Sequence, residues 1–261
     1  MEQIMHWQVG AYRGVFLLIF LSLIILEVFI SRKKHLQNYH RKETITNGLI
    51  FLGLIVSKAV FVSYQLWVLN FCYQYTNFRI SDSWAHFVLA FMLVDFLYYL
   101  YHGLSHKIPF LWAFHLVHHS SPWMNLTTAY RLHWLGALVS PLFLVPAVLI
   151  GFSPNMVAIC ISLNLFYQFF LHTELVPKLG LIEHILNTPS NHRVHHASNP
   201  EYLDKNFGGI FMIWDKLFGT YTPEIEKANY GITTGFVSHN PLTLMLHGFR
   251  DLFQGNKESK G

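Results

Sequence analysis

The chain has 261 residues, of which 52% are hydrophobic, 16% aromatic and only 12% charged, a composition that excludes an ordinary soluble enzyme and points to a membrane protein with a substantial polar part. The formal net charge of +4 does not signal nucleic acid, because the basic residues flank apolar runs as loops beside a membrane do. Two cysteines, Cys72 and Cys160, argue against a disulfide framework or a thiolate metal site, whereas 17 histidines are an excess that asks for a function.

A crossing of the bilayer takes ~20 helical residues, and apolar runs of about that length occupy 12–31, 47–71, 84–102, 134–152 and 155–172. The pattern predicts an all-α polytopic membrane protein of about five spans with a helical, histidine-rich cap. No small-residue cleavage site follows the first run, which reads as a retained anchor. Between the first two runs lie Arg32, Lys33, Lys34, Arg41 and Lys42, the densest basic loop, which the positive-inside tendency assigns to the cytosol. The third run then descends from Ser81 and delivers His102 and His106 to the cytosolic face. The fourth and fifth runs form a hairpin through Ser153, Pro154 and Asn155, returning His133 and His172 to that same face. No repeat or flexible linker divides the chain, so residues 1–261 read as one integral membrane domain.

The histidines fall in three helix-spaced groups. His102 and His106 are four apart, which places both rings on one helical face. His115, His118 and His119 follow, with Pro109 suited to the first turn of their helix and Ser120-Ser121-Pro122 to its end. His192, His195 and His196 repeat the i, i+3, i+4 spacing after Thr188-Pro189, an N-cap and first helical residue, and before Asn199-Pro200. The spacing is expected to turn the three rings of each group the same way. Burying so many uncompensated imidazoles is costly, and metal coordination would recover that cost. His133 and His172 extend the candidate ligand set to ten. Asp95, Glu174 and Asp204 are the acids placed to orient ligating rings or assist catalysis, Asp95 on the stripe Asp95, Tyr99, His102, His106. His86, His184, His239 and His247 read as ordinary structural histidines. All-imidazole coordination suits zinc, copper, iron or nickel, but the number of nitrogens exceeds one tetrahedral site and fits two metals. Carboxylates for hydrolytic two-metal chemistry are few, and iron acting on dioxygen fits better. Two further segments are amphipathic at helical spacing: Ile210, Ile213, Trp214, Leu217 and Phe218, and then Leu242, Met245, Leu246 and Phe249.

The boxes His102-x-x-x-His106, His115-x-x-His118-His119 and His192-x-x-His195-His196 resemble those of the fatty acid hydroxylase and sterol desaturase superfamily of membrane di-iron oxygenases. The flanks carry the resemblance further: Leu111-Trp112, Ser120-Ser121, Asn125-Leu126-Thr127-Thr128-Ala129, Thr188-Pro189 and the long stretch from Asp204 through Asn206-Phe207-Gly208-Gly209 and Trp214-Asp215-Lys216 to Tyr221. The stretch 168–221 is similar to the alkylglycerol monooxygenase branch in particular, from which the chain departs at Lys107 and His133. The resemblance covers a catalytic region of residues 90–240. It implies two iron ions held by the eight box histidines, joined in many members by residues matching His133 and His172. It further implies dioxygen as co-substrate, an external electron donor of unknown identity, and a membrane lipid (ether lipid, fatty acyl or sterol) as the substrate hydroxylated. The active site is expected on the cytosolic face of a bacterial inner membrane or the endoplasmic reticulum. A lipid desaturase of the same superfamily and, from another class, a histidine-rich metal transporter are the competing readings.

Overall fold

A computed structural model describes residues 2–254, with side chains from Leu17 onward. The described residues are helical, and their only strand-like pairings are two isolated bridges, Leu186 with Phe211 and Ala197 with Tyr230. The first three apolar runs lie in helices α1 (Glu2–Lys33), α2 (Arg41–Tyr73) and α3 (Trp84–Lys107). Among the described residues two helices, α2 and α3, are long and apolar enough to cross a membrane by length and composition. Both expose large apolar side chains on their outer surfaces, including Leu52, Val56, Val60 and Trp67 on α2 and Trp84 and Leu89 on α3, in keeping with hydrocarbon as the surrounding medium.

Ile108, extended because a proline follows it, separates α3 from α4 (Pro109–His119), which Pro109 opens as its spacing predicts. The fourth apolar run differs from expectation. Its residues form two 3-10 turns, Gly136–Leu138 and Ser140–Leu144, and then the six-residue α5 (Val145–Ile150). Pro141 and Pro146 each remove a backbone donor and crowd the carbonyl one turn back, so no continuous helix can form. Helix α6 (Pro154–Phe169) has 16 residues, or ~24 Å of helix, less than the ~30 Å of a hydrocarbon core. The run 134–169 therefore packs as a wedge against α2 and α3, burying Leu69, Ala90, Val94, Ala147, Val148, Val157 and Cys160 in one apolar cluster. The wedge approaches α2 closely: a Cβ on Gly53 would collide with the indole of Trp134, whose Nε1 donates to Ile50 O at 3.0 Å.

Three short α-helices follow among the described residues: α7 (Pro189–His195), capped by Thr188 as expected, α8 (Ile213–Leu217) and α9 (Pro241–Gln254). Helix α9 lies on α4, burying Leu244, Met245 and Gly248 and leaving Leu242 and Leu246 exposed. On α8 and just beyond it, Ile213, Leu217 and Phe218 are exposed. Both cysteines are free thiols.

Buried charge ties these parts together. Glu27 on α1 accepts hydrogen bonds from Leu126 N at 2.8 Å, from the Tyr39 hydroxyl and from the Thr173 hydroxyl. Arg131, fully buried, bonds Glu43 and Asn47 on α2 and, with Nε, the carbonyl of Val117 at 3.0 Å. Its guanidinium thus occupies the C-terminal end of α4, where unpaired carbonyls and the helix dipole favour a cation. Removing one partner of a buried ion pair leaves the other charge uncompensated, typically at a cost of ~3–5 kcal/mol. Glu43→Ala is accordingly expected to lower the thermal unfolding midpoint of detergent-solubilised protein sharply, and the paired replacement Glu43→Leu with Arg131→Met to lower it much less.

Candidate metal centre

Two groups of imidazoles meet where α3, α4 and α7 converge. The first contains His102 and His106 from the last turns of α3, His115 and His119 from α4, and His195 from α7. The second contains His118 from α4, His172 just beyond α6, His192 from α7 and His196 at its C-terminal cap. Within each group the candidate ligand atoms all lie within 4.8 Å of one another. The two three-histidine motifs are therefore split, contrary to the expectation that each turns its rings one way. At ~100° per residue, positions i and i+4 are ~40° apart but i+3 and i+4 are ~100° apart. Helix α4 thus gives its i and i+4 rings to the first group and its i+3 ring to the second, and α7 does the reverse.

The ring nitrogens are spaced as ligands of shared ions. His115 Nε2 lies 3.0 Å from His102 Nε2 and 3.1 Å from His119 Nε2. In the second group His172 Nε2 is 3.2 Å from His118 Nε2 and 3.0 Å from His192 Nε2, which is 3.1 Å from His196 Nε2. Imidazole–metal bonds of ~2.1 Å would set two nitrogens ~3.0 Å apart across a right angle and ~3.4 Å apart across a tetrahedral one. Three outer nitrogens are held by backbone carbonyls: His102 Nδ1 by Phe207 at 2.8 Å, His195 Nδ1 by Lys205 at 3.0 Å and His172 Nδ1 by Gln168 at 2.8 Å. A carbonyl can only accept, so each Nδ1 carries the proton and each Nε2 turns a lone pair inward. His195 Nε2 is buried without any hydrogen-bond partner. Burial, reinforced by neighbouring imidazoles, holds His115, His118, His119, His192, His195 and His196 well below the ordinary histidine range. They are neutral at pH 7 and available to coordinate. The donor set suits a metal that accepts imidazole in both groups.

Of the remaining candidates, only Asp204 borders a group. His133 joins neither group: its Nε2 donates to Met245 O at 3.0 Å and its Nδ1 accepts from Leu135 N at 3.0 Å, so backbone groups occupy both nitrogens. Asp204 Oδ1 stands 3.8 Å from His106 Nδ1, at ion-pair distance from the outer side of that ring. Glu174 accepts from the Tyr230 hydroxyl at 3.2 Å. Asp95 faces no imidazole; it receives Ile210 N at 2.9 Å, the Trp214 indole at 2.8 Å and Asn164 Nδ2 at 2.6 Å, and so anchors the segment leading into α8 to α3 and α6. His86, His184, His239 and His247 lie outside both groups. Sequence reasoning missed Arg131, which secures the end of α4 beside His118 and His119, and Asp215, whose carboxylate binds the backbone at Phe207. For Arg131 the available signal was a charge between Tyr130 and Leu132; for Asp215, beside Lys216, the sequence offered none.

The model of the fatty acid hydroxylase family matches residues 87–220, a span that holds both groups. Among curated proteins the chain is 39% identical to an alkylglycerol monooxygenase of Danio rerio over 82% of this chain and 48% of that protein. It is 41% identical to an alkylglycerol monooxygenase of Homo sapiens over 68% of this chain and 41% of that protein. An ornithine lipid hydroxylase of Rhizobium tropici is 30% identical over 58% of this chain and 48% of its own length. The chain spans about half the length of the curated relatives it matches. No solved structure matches it.

Metal loading separates the histidines. In purified protein His172→Ala is expected to cut bound metal per chain by about half, as loss of a ligand from one of two sites would. His133→Ala is expected to leave the metal content unchanged and to lower only stability. Elemental analysis with a thermal melt reads both outcomes.

Proposed function

The chain belongs to the fatty acid hydroxylase family, and on that premise we propose that it is a membrane-bound, dioxygen-dependent lipid monooxygenase that holds one iron ion in each histidine group. The observation that carries the proposal is the pair of buried, all-imidazole groups with ring nitrogens at the spacing of shared-metal ligands. Bound iron would supply activation of dioxygen for insertion of one oxygen atom into a C–H bond, the other atom leaving as water with two electrons and two protons from an external reductant.

The protein's own residues would perform the rest. Backbone carbonyls of Lys205, Phe207 and Gln168 keep three rings in the coordinating tautomer. The Phe207 ring, buried against His102, His106 and His195, excludes water from one side of the first group. Apolar side chains exposed on α2, α3 and α6 let a substrate remain partly in the bilayer while presenting its C–H bond. A water-soluble substrate would gain nothing from that placement. Among lipids, an ether lipid is the leading substrate, a reading supported by similarity to two alkylglycerol monooxygenases over 68–82% of this chain. Oxidation of the carbon beside the ether oxygen would give a hemiacetal that splits to an aldehyde and an alcohol. The basic loop of Arg32, Lys33, Lys34, Arg41 and Lys42 supports a cytosolic location for the histidine groups.

Membranes containing the protein, given labelled dioxygen, a reductant and an alkyl ether lipid, are expected to place one labelled atom in the lipid product by mass spectrometry. Label in water alone would instead indicate desaturation, and turnover that continues without oxygen would overturn the proposal. Reporter fusions after residue 40, after residue 110 and at the C-terminus should all be cytosolic, and one after Arg79 should lie on the opposite side; a cytosolic signal at Arg79 would remove the assigned orientation.

A further inference from the structure

One fully buried carboxylate touches no histidine, yet it is joined to the first group through a single peptide unit. Asp215 Oδ2 accepts the N–H of Gly208 at 2.7 Å, and Oδ1 accepts the N–H of Phe207 at 2.8 Å and the Thr220 hydroxyl at 2.6 Å. The Gly208 N–H and the Phe207 carbonyl belong to the same peptide plane. Peptides here are trans, so the two groups point in opposite directions across that plane. With the N–H drawn to Asp215, the carbonyl is turned the other way, onto His102 Nδ1 at 2.8 Å.

Two residues earlier the Lys205 carbonyl holds His195 Nδ1 at 3.0 Å. Around these carbonyls Asp204 and Asn206 have φ of 59° and 57°, in the left-handed region that, glycine apart, aspartate and asparagine adopt most readily. Hydrogen bonds hold Asn206 there. Asn206 Nδ2 donates to Asn191 O at 3.1 Å and Thr222 O at 2.7 Å, and Asn206 N donates to Thr220 O at 3.0 Å. The Asp215 carbonyl accepts Thr220 N at 2.8 Å and closes the segment on itself. Gly208 admits no side chain, since a Cβ would stand 2.5 Å from Phe211 O and 2.9 Å from Asp215 Oδ2.

We propose that Asp215 is a positioning residue of the first histidine group: its carboxylate sets the Phe207–Gly208 peptide so that the carbonyl of Phe207 holds His102 with Nε2 turned to the metal. The proposal rests on the two-metal reading. It is specific to one group, because the carbonyl that holds His172 in the second group comes from Gln168 at the end of α6. Selectivity is therefore what a merely structural role would not produce.

Asp215→Asn preserves size but offers an amide donor toward one of the two backbone donors. Full-length protein loaded with iron in detergent and challenged with a chelator is expected to retain metal ~10–100-fold less well in the first group, as for other losses behind a ligating histidine, so that content falls from about two ions per chain to about one. Combined with His172→Ala, it should leave almost none; combined with His195→Ala, it should lose little beyond what that variant loses alone. Thr220→Val, which removes only the hydroxyl on Oδ1, should shift the same site in the same direction by less, and decides the matter if Asp215→Asn does not accumulate. Wild-type retention in both Asp215→Asn and Thr220→Val would overturn the proposal, as would parallel loss from both groups. A wild-type chain that takes up no metal overturns the positioning role together with the two-metal reading beneath it.

Discussion

Unprotonated imidazole nitrogens turned toward one another in a dry interior repel through their lone pairs, and a shared cation relieves that repulsion. Five rings in one group and four in the other impose this constraint twice, in adjacent volumes: His119 of the first group stacks on His196 of the second with centroids 4.4 Å apart. Much of the surrounding structure holds those rings in place. The chain reverses at Ile108 so that α4 returns beside the end of α3, and α7 with its cap gives His192, His195 and His196 to the centre. Carbonyls outside the rings select the tautomer that leaves the inner nitrogen unprotonated.

Buried carboxylates and guanidinium groups do the anchoring, and each has enough partners to offset its desolvation. Arg131 closes the end of α4 with Glu43 beside it; Glu27 links α1 to the residue after His172; Asp95 fastens the segment before α8 to α3. Asp215 completes this set from within the loop it organises. None of these groups ranks among the clustered ligands, yet Arg131 and Glu27 bond residues adjacent to His118 and His172, and Asp215 bonds the segment that holds His102. This explains how short, irregular segments such as 200–221 hold fixed positions without the regular hydrogen bonding of a long helix or a sheet.

The setting of the centre matches membership of a family whose matched region spans it. Two helices long and apolar enough to cross a membrane, α2 and α3, pack against a proline-broken wedge. Prolines and 3-10 turns are tolerable there because the wedge packs on protein, where backbone groups find partners. The wedge shapes the apolar surroundings from which a lipid would meet the metal centre under the proposed function.

Much of this was legible in the residues alone. Helical class, the apolar character of the long helices, and the three histidine groups follow from composition and spacing, because a helix repeats on a scale that the sequence displays directly. Caps at Thr188 and the start of α4 at Pro109 are equally local. Tertiary structure decided what depends on direction. Whether His118 joins His115 or His172 turns on the ~100° between adjacent helical positions and on where the facing helices lie, and His133, equally plausible by its place in the chain, is drawn off by the backbone of Leu135 and Met245. Asp95 points to a loop more than a hundred residues away, and Asp215 acts through a peptide plane. Such roles are set by long-range packing and peptide orientation, for which a linear pattern of residue types carries no sign.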